Sequence, residues 1–129
     1  MDKMLKIISK IFSVFIGLTV INVWLFRSEK NTLFRGGNAG NLLEEFEVYG
    51  LEDYFLIIGV VKVSLAVILL LSLYFNKLRF FASSGIAIMM LVAIYMHISI
   101  GDDLIKSIPA SILLIGSLTI AYTEKKSSK

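Results

Sequence analysis

Residues 54–75 read YFLIIGVVKVSLAVILLLSLYF, and this run decides the fold. It is about 22 residues long, and Lys62 is its only charge. A helix needs about 20 apolar residues to cross a hydrocarbon core of about 30 Å, so the run reads as a transmembrane helix. Working outward, similar runs lie at 7–26, broken early by Lys10, and at 80–100. A shorter one lies at 107–122, with its start in the interface at Leu104. These runs predict an all-α integral membrane protein. Four helices form a bundle in a single membrane domain spanning 1–129.

Composition agrees. The chain has 129 residues, 57% of them hydrophobic and 18% charged, with a mean hydropathy of +0.81. A soluble domain carries about 45–50% apolar and about 25% charged residues, and so small a globule has little interior in which to hide the excess. The absence of Cys excludes a disulfide framework, a thiolate metal site and a CxxC couple. A single His excludes a bis-His haem or a multi-His metal site. Nucleic acid is an unsuitable partner despite the net charge of +3, because the Lys and Arg residues sit at the ends of apolar runs and not on one face.

The connections are uneven. Asn76-Lys77-Leu78-Arg79 and Gly101-Asp102-Asp103 are tight polar turns, which make consecutive helices antiparallel neighbours. Segment 27–53 is the one long connection, with the loop-forming string Arg35-Gly36-Gly37-Asn38-Ala39-Gly40. After it, Leu42, Leu43, Phe46 and Tyr49 recur at helical spacing between Glu44, Glu45 and Glu47. This pattern predicts a short amphipathic helix on the membrane surface, anchored by Leu42, Leu43 and Phe46 and closed by Gly50.

Charge sets the orientation. Lys3, Lys6, Lys10, Lys77, Arg79, Lys125, Lys126 and Lys129 fall on one side of the four runs. Arg27, Lys30, Arg35, Lys106 and most of the acids fall on the other. The positive-inside rule puts both termini in the cytoplasm. Phe26-Arg27-Ser28-Glu29 offers no small-x-small cleavage site, so the first run reads as a retained helix and not a signal peptide. The tail Lys125–Lys129 reads as frayed.

Polar groups inside a span must find partners. Lys62 lies about eight residues, or about 12 Å of helix rise, below the outer end of its run. It reads as a Lys snorkelling outward to a loop Glu, as a group that binds a ligand or proton, or as an unpaired or neutral Lys. Gly59 and Ala66 on its face allow another helix close. His97 ends a stripe with Gly85, Met89 and Ala93, just below Asp102-Asp103, and reads as a structural partner or a site residue. Asn22 reads as interhelical glue or as part of the same site. Asn22, Tyr54, Lys62 and His97 all fall in the outer half of the membrane. Together with Glu45 and Asp102 they form the candidate ligand site, a polar pocket beneath the loop helix. No catalytic residue and no metal site emerges. Met89, Met90 and Met96 read as core fillers, and Trp24, Tyr49, Tyr54, Tyr74 and Tyr122 as interfacial aromatics.

The chain also resembles a known family. The resemblance is carried by Arg35-Gly-Gly-Asn-Ala, Glu45-Phe46, Tyr49-Gly50-Leu51, Gly59-Val-Val-Lys62 and Ala66. It continues through Leu78-Arg79, Ala82, Gly85, Met90, Ala93, Met96-His97, Gly101-Asp102 and Ser107-Ile-Pro109-Ala110. This order is similar to that of DoxX-like membrane proteins, from about Asn31 to the end of the fourth run. The resemblance implies a four-helix membrane bundle. It also implies a link to quinone chemistry, since the founding member is a subunit of a thiosulfate:quinone oxidoreductase, while animal relatives act as chaperones for membrane receptors. Many relatives carry Gly-x-x-Lys at the outer end of the first span, where this chain has Asn22-Val-Trp24.

Two functional readings follow. In the first, the protein is an accessory subunit that binds a quinone- or lipid-like amphipathic molecule near Lys62 and His97. Redox chemistry then falls to a partner, because a chain without Cys and with one His brings no electron carrier of its own. In the second, it is a structural or chaperone-like subunit that packs against another membrane protein or a second copy. A transporter working as an oligomer is a weaker third, and an enzyme acting alone the weakest.

Overall fold

The computed structural model describes residues 2–26 and 41–127. The Gly-rich string 35–40 and the cations Arg27, Lys30 and Arg35 lie outside the described residues. Five α-helices follow in order: α1 (Asp2–Ile21), α2 (Leu42–Tyr49), α3 (Phe55–Leu71), α4 (Leu78–Ser99) and α5 (Ile108–Ser127). A π-helical turn, Asn22–Phe26, extends α1, and 3-10 turns precede α3 (Glu52–Tyr54) and α5 (Leu104–Ser107). The described residues hold no strand.

Among the described residues, three stretches are long and apolar enough to cross a membrane: Lys3–Leu25, Leu78–Ser99 and Leu104–Lys126. The apolar helix Phe55–Leu71 is shorter than the 54–75 run predicts, at 17 residues. Its end is set by polar groups inside an apolar string. The Ser72 hydroxyl donates to the Leu69 carbonyl, and the Ser72 carbonyl is taken by the Arg79 guanidinium. The N–H groups of Leu73 and Tyr74 then turn back to the carbonyls of Leu70 and Leu71. Hydropathy overruns this end because Leu73, Tyr74 and Phe75 are apolar without being helical. At the other extreme, α5 runs on to Ser127, through the tail that composition suggests is frayed.

The long helices pack side by side, α1 against α3 and α5, and α4 against α3 and α5. Their core is Ile16 and Val20 of α1, Leu65, Ala66 and Leu69 of α3, Ala82, Ile86 and Met90 of α4, and Ala110, Leu113 and Ile120 of α5. Close approach needs small residues. A methyl group on Gly17 would stand 2.8 Å from the Leu70 side chain and 3.2 Å from the Ala66 carbonyl. The outward faces are apolar as well, with Phe15, Leu18, Leu56, Ile88, Leu91, Ile115 and Leu118 exposed. An exterior as apolar as the core suits lipid and not water. On α4 the buried row is Ala82, Ser83, Ile86, Ala87, Met90 and His97. The stripe read from sequence is therefore off by part of a turn: Met89 and Ala93 flank the core and only His97 is fully inside it.

The loop helix α2 is framed by its caps. The Asn41 side chain accepts from the Glu44 N–H at 2.8 Å. At the other end Gly50 takes φ 75°, its N–H donates to the Glu47 carbonyl, and the Leu51 N–H donates to the Phe46 carbonyl. That is a Schellman ending, in which glycine bears the left-handed residue without strain. Among the expected anchors Phe46 is buried, whereas Leu43 is 44% exposed, and the Leu42 side chain lies outside the described residues. A helix of eight residues touching its support along one stripe brings only part of its apolar set inward.

Candidate functional site

Phe55, Gly59 and Lys62 are spaced by four and three residues, so they share one face of α3. The π-helical turn that ends α1 brings Trp24 onto that face. Its ring crowds Gly59 so closely that a methyl there would stand 2.7 Å from it. Phe46 of α2 completes a three-ring cluster: Trp24–Phe46 centroids are 5.5 Å apart, Trp24–Phe55 5.2 Å and Phe46–Phe55 5.2 Å, two of the pairs edge to face. The Lys62 Nζ stands over the Trp24 ring, 5.5 Å from its centroid. Glu45, buried beside Phe46 in sequence, is the carboxylate whose charge acts on Lys62. The ammonium thus has an aromatic face and a carboxylate in place of water.

His97 belongs to a second group, built by the end of α4. Gly101 takes φ 75°, its N–H donates to the Ile98 carbonyl, and the Asp102 N–H donates to the His97 carbonyl. This second Schellman ending carries Asp102 back over His97, and Asp102 Oδ2 lies 2.8 Å from His97 Nδ1. A carboxylate can only accept, so Nδ1 carries the hydrogen. Lys106 Nζ lies 3.8 Å from the other oxygen of Asp102. His97 is 5% exposed.

The six expected site residues therefore divide. Lys62 stands over Trp24 with the charge of Glu45 acting on it, and His97 joins Asp102. Asn22 is exposed, and Tyr54 is 56% exposed, as an interfacial tyrosine is. Beside the ring cluster lies a groove of about 380 Å³, walled by Trp24, Phe55, Leu56, Gly59, Val60 and Ser64. None of the six expected residues lines it, although Lys62 reaches its wall through Trp24. Trp24 is the residue that reading the sequence as an interfacial belt misses, since nothing in Asn22-Val-Trp24 announces a widened turn.

A third group lies at the opposite end of the helices. Arg79 is 2% exposed. It donates to Ser72 Oγ (3.2 Å), to Asn76 Oδ1 (3.0 Å), to the Ser72 carbonyl, and to Glu124 Oε2 (3.4 Å). Glu124 also accepts from the Ser9 hydroxyl at 3.0 Å. Read from sequence, Arg79 is a surface cation of a polar turn. The signal for its burial was Glu124, an isolated acid beside a basic tail, together with Ser9 and Ser72 inside apolar runs.

The family model described as DoxX-like matches residues 31–120. The chain belongs to the DoxX-like family. No curated protein and no solved structure matches it. The DoxX-like segment holds Glu45, Phe46, Phe55, Lys62, Arg79, His97, Asp102 and Lys106, whereas Trp24, Ser9 and Glu124 lie outside the matched residues. Family and apolar helices together make this DoxX-like chain a small membrane protein with transmembrane helices.

Proposed function

We propose that this DoxX-like protein is a four-span subunit of a bacterial inner membrane, with both termini cytoplasmic, that holds a quinone- or lipid-like amphipathic molecule for a redox partner. The observation that carries the reading is the groove beside Trp24. Its volume of about 380 Å³ falls within the range of about 300–1,000 Å³ usual for ligand sites. Its walls suit a flat ring or an isoprenoid tail: Trp24 and Phe55 offer aromatic surface, Leu56 and Val60 aliphatic surface, and Ser64 a hydroxyl that can donate to a carbonyl oxygen. A bound quinone would supply electron transfer. The residues of this chain bind and orient, with Lys62 held against the Trp24 ring. The DoxX-like family supports the membrane setting, and the exposed apolar side of α3 gives a molecule dissolved in lipid a direct way in.

Trp24 is the chain's single tryptophan, so it is a built-in reporter. Purified protein is titrated with a decyl-tailed benzoquinone while Trp24 fluorescence is followed. Saturable quenching is expected, and Ser64→Phe, which fills the groove, is expected to abolish saturation. Equal, unsaturable quenching of parent and variant would sink the proposal. Mass spectrometry after extraction in mild detergent separates the two readings: a copurifying quinone or lipid supports this one, a stoichiometric protein partner the packing role.

A further inference from the structure

We infer that the end of the molecule opposite the Trp24 groove carries a second site, one that takes the phosphate headgroup of an anionic phospholipid. A cavity of about 770 Å³ opens there between α1, the α3–α4 turn and α5. Lys6, Lys10, Lys77, Arg79 and Lys125 line it, and Glu124 is the one acid among its described lining residues. Glu124 is already engaged, taking Arg79 at 3.4 Å and Ser9 at 3.0 Å. Its charge is thus answered within the protein, and Lys6, Lys10 and Lys77 make the cavity positive. The buried Arg79 makes it a built feature: its bonds to Ser72, Asn76 and Glu124 fix the α3–α4 turn against α5, so the cavity floor is held rigid.

The surroundings select a lipid over a free anion. Phe80 lines the cavity beside Lys77 and Arg79. Tyr74, Phe75 and Phe81 expose large apolar surface nearby in the chain. A soluble phosphate has no use for that surface, whereas acyl chains below a headgroup do. Basic pockets between transmembrane helices bind such headgroups, and a cluster of lysines acts on them as point charges.

The test uses the full chain in a neutral maltoside detergent with equimolar phosphatidylglycerol and phosphatidylcholine, read by native mass spectrometry at low ionic strength. Retention of phosphatidylglycerol over phosphatidylcholine is expected. Lys10→Gln and Lys77→Gln should each weaken retention about fivefold, and the triple change of Lys10, Lys77 and Lys125 to Gln about a hundredfold. The same three positions changed to Arg should keep the lipid, which separates loss of charge from loss of fold. Millimolar inorganic phosphate should not displace the lipid. Undiminished retention by the Gln variants would overturn the site, and displacement by phosphate would overturn the lipid as its occupant.

Discussion

Asp102 is tied to His97 twice, through its backbone N–H to the His97 carbonyl at 3.0 Å and through Oδ2 to Nδ1 at 2.8 Å. The first bond belongs to the helix ending at Gly101, so the backbone positions the carboxylate before the side chains meet. Asp102→Ala keeps the backbone bond, but takes the carboxylate acceptor from the buried ring N–H and from Lys106. Leaving a buried donor unsatisfied costs about 1–3 kcal/mol. Thermal unfolding in detergent should show that loss, and Asp102→Asn, which keeps an oxygen facing the ring, should show less. An Ala variant as stable as the parent would mean that His97 does not depend on this partner.

For Lys62, the sign of the effect separates two roles. If the ammonium is held by Trp24 and Glu45, Lys62→Met removes one member of a buried pair, a change that costs up to about 3–5 kcal/mol, and less where snorkelling and water relieve the charge. A lower melting temperature and a shifted Trp24 emission are expected, with Lys62→Arg closer to the parent. A lysine that merely snorkels gives the opposite result, because Met suits lipid better and stability would hold or rise.

Phe46 ties α2 to the turn that ends α1 and to the start of α3 through its ring contacts with Trp24 and Phe55. Phe46→Ser removes apolar burial worth about 1.5–3 kcal/mol. The readout is backbone hydrogen exchange, expected to quicken across 42–49 while α4 and α5 keep their protection. Unchanged exchange over α2 would show that its caps at Asn41 and Gly50 hold it without docking.

Orientation is open to chemical labelling, because the chain contains no Cys. With both termini in the cytoplasm, a cysteine replacing the exposed Asp53 labels from outside with an impermeant maleimide, and one replacing the exposed Lys126 labels only after the membrane is opened. The reverse pattern would invert the topology drawn from the positive-inside rule.

What the sequence makes legible is whatever one residue decides alone or by simple period. Apolar runs mark the helices, and Gly50 and Gly101 mark their ends because only glycine bears φ 75° at no cost. What it hides depends on tertiary partners. Trp24 looks like an interfacial aromatic until a π-helical turn swings it onto Gly59. Tyr74 and Phe75 look like the end of a span until Arg79 takes the Ser72 carbonyl. Lys62 and His97 share a depth in the sequence, yet each is built into its own cluster, because depth along a span says nothing about which face a residue occupies.

Arg79 and Glu124 give the last prediction. The guanidinium is almost fully buried and bridges α4 to the turn after α3 and to α5. Arg79→Met strands Glu124 and frees the Ser72 carbonyl, and breaking a buried pair from one side costs about 3–5 kcal/mol. Arg79→Lys should recover little of this, since a point charge cannot serve Ser72, Asn76 and Glu124 from one plane. Glu124→Gln alone should cost less, because Arg79 keeps its bonds to Ser72 and Asn76. If the pair is coupled, the double variant is destabilised by less than the sum of the two single changes, since the second removes the stranded charge that the first created. Unfolding of all four proteins in one detergent completes the cycle. Strict additivity would mean that Arg79 acts through the α3–α4 turn alone, and that Glu124 does not hold α5 to it.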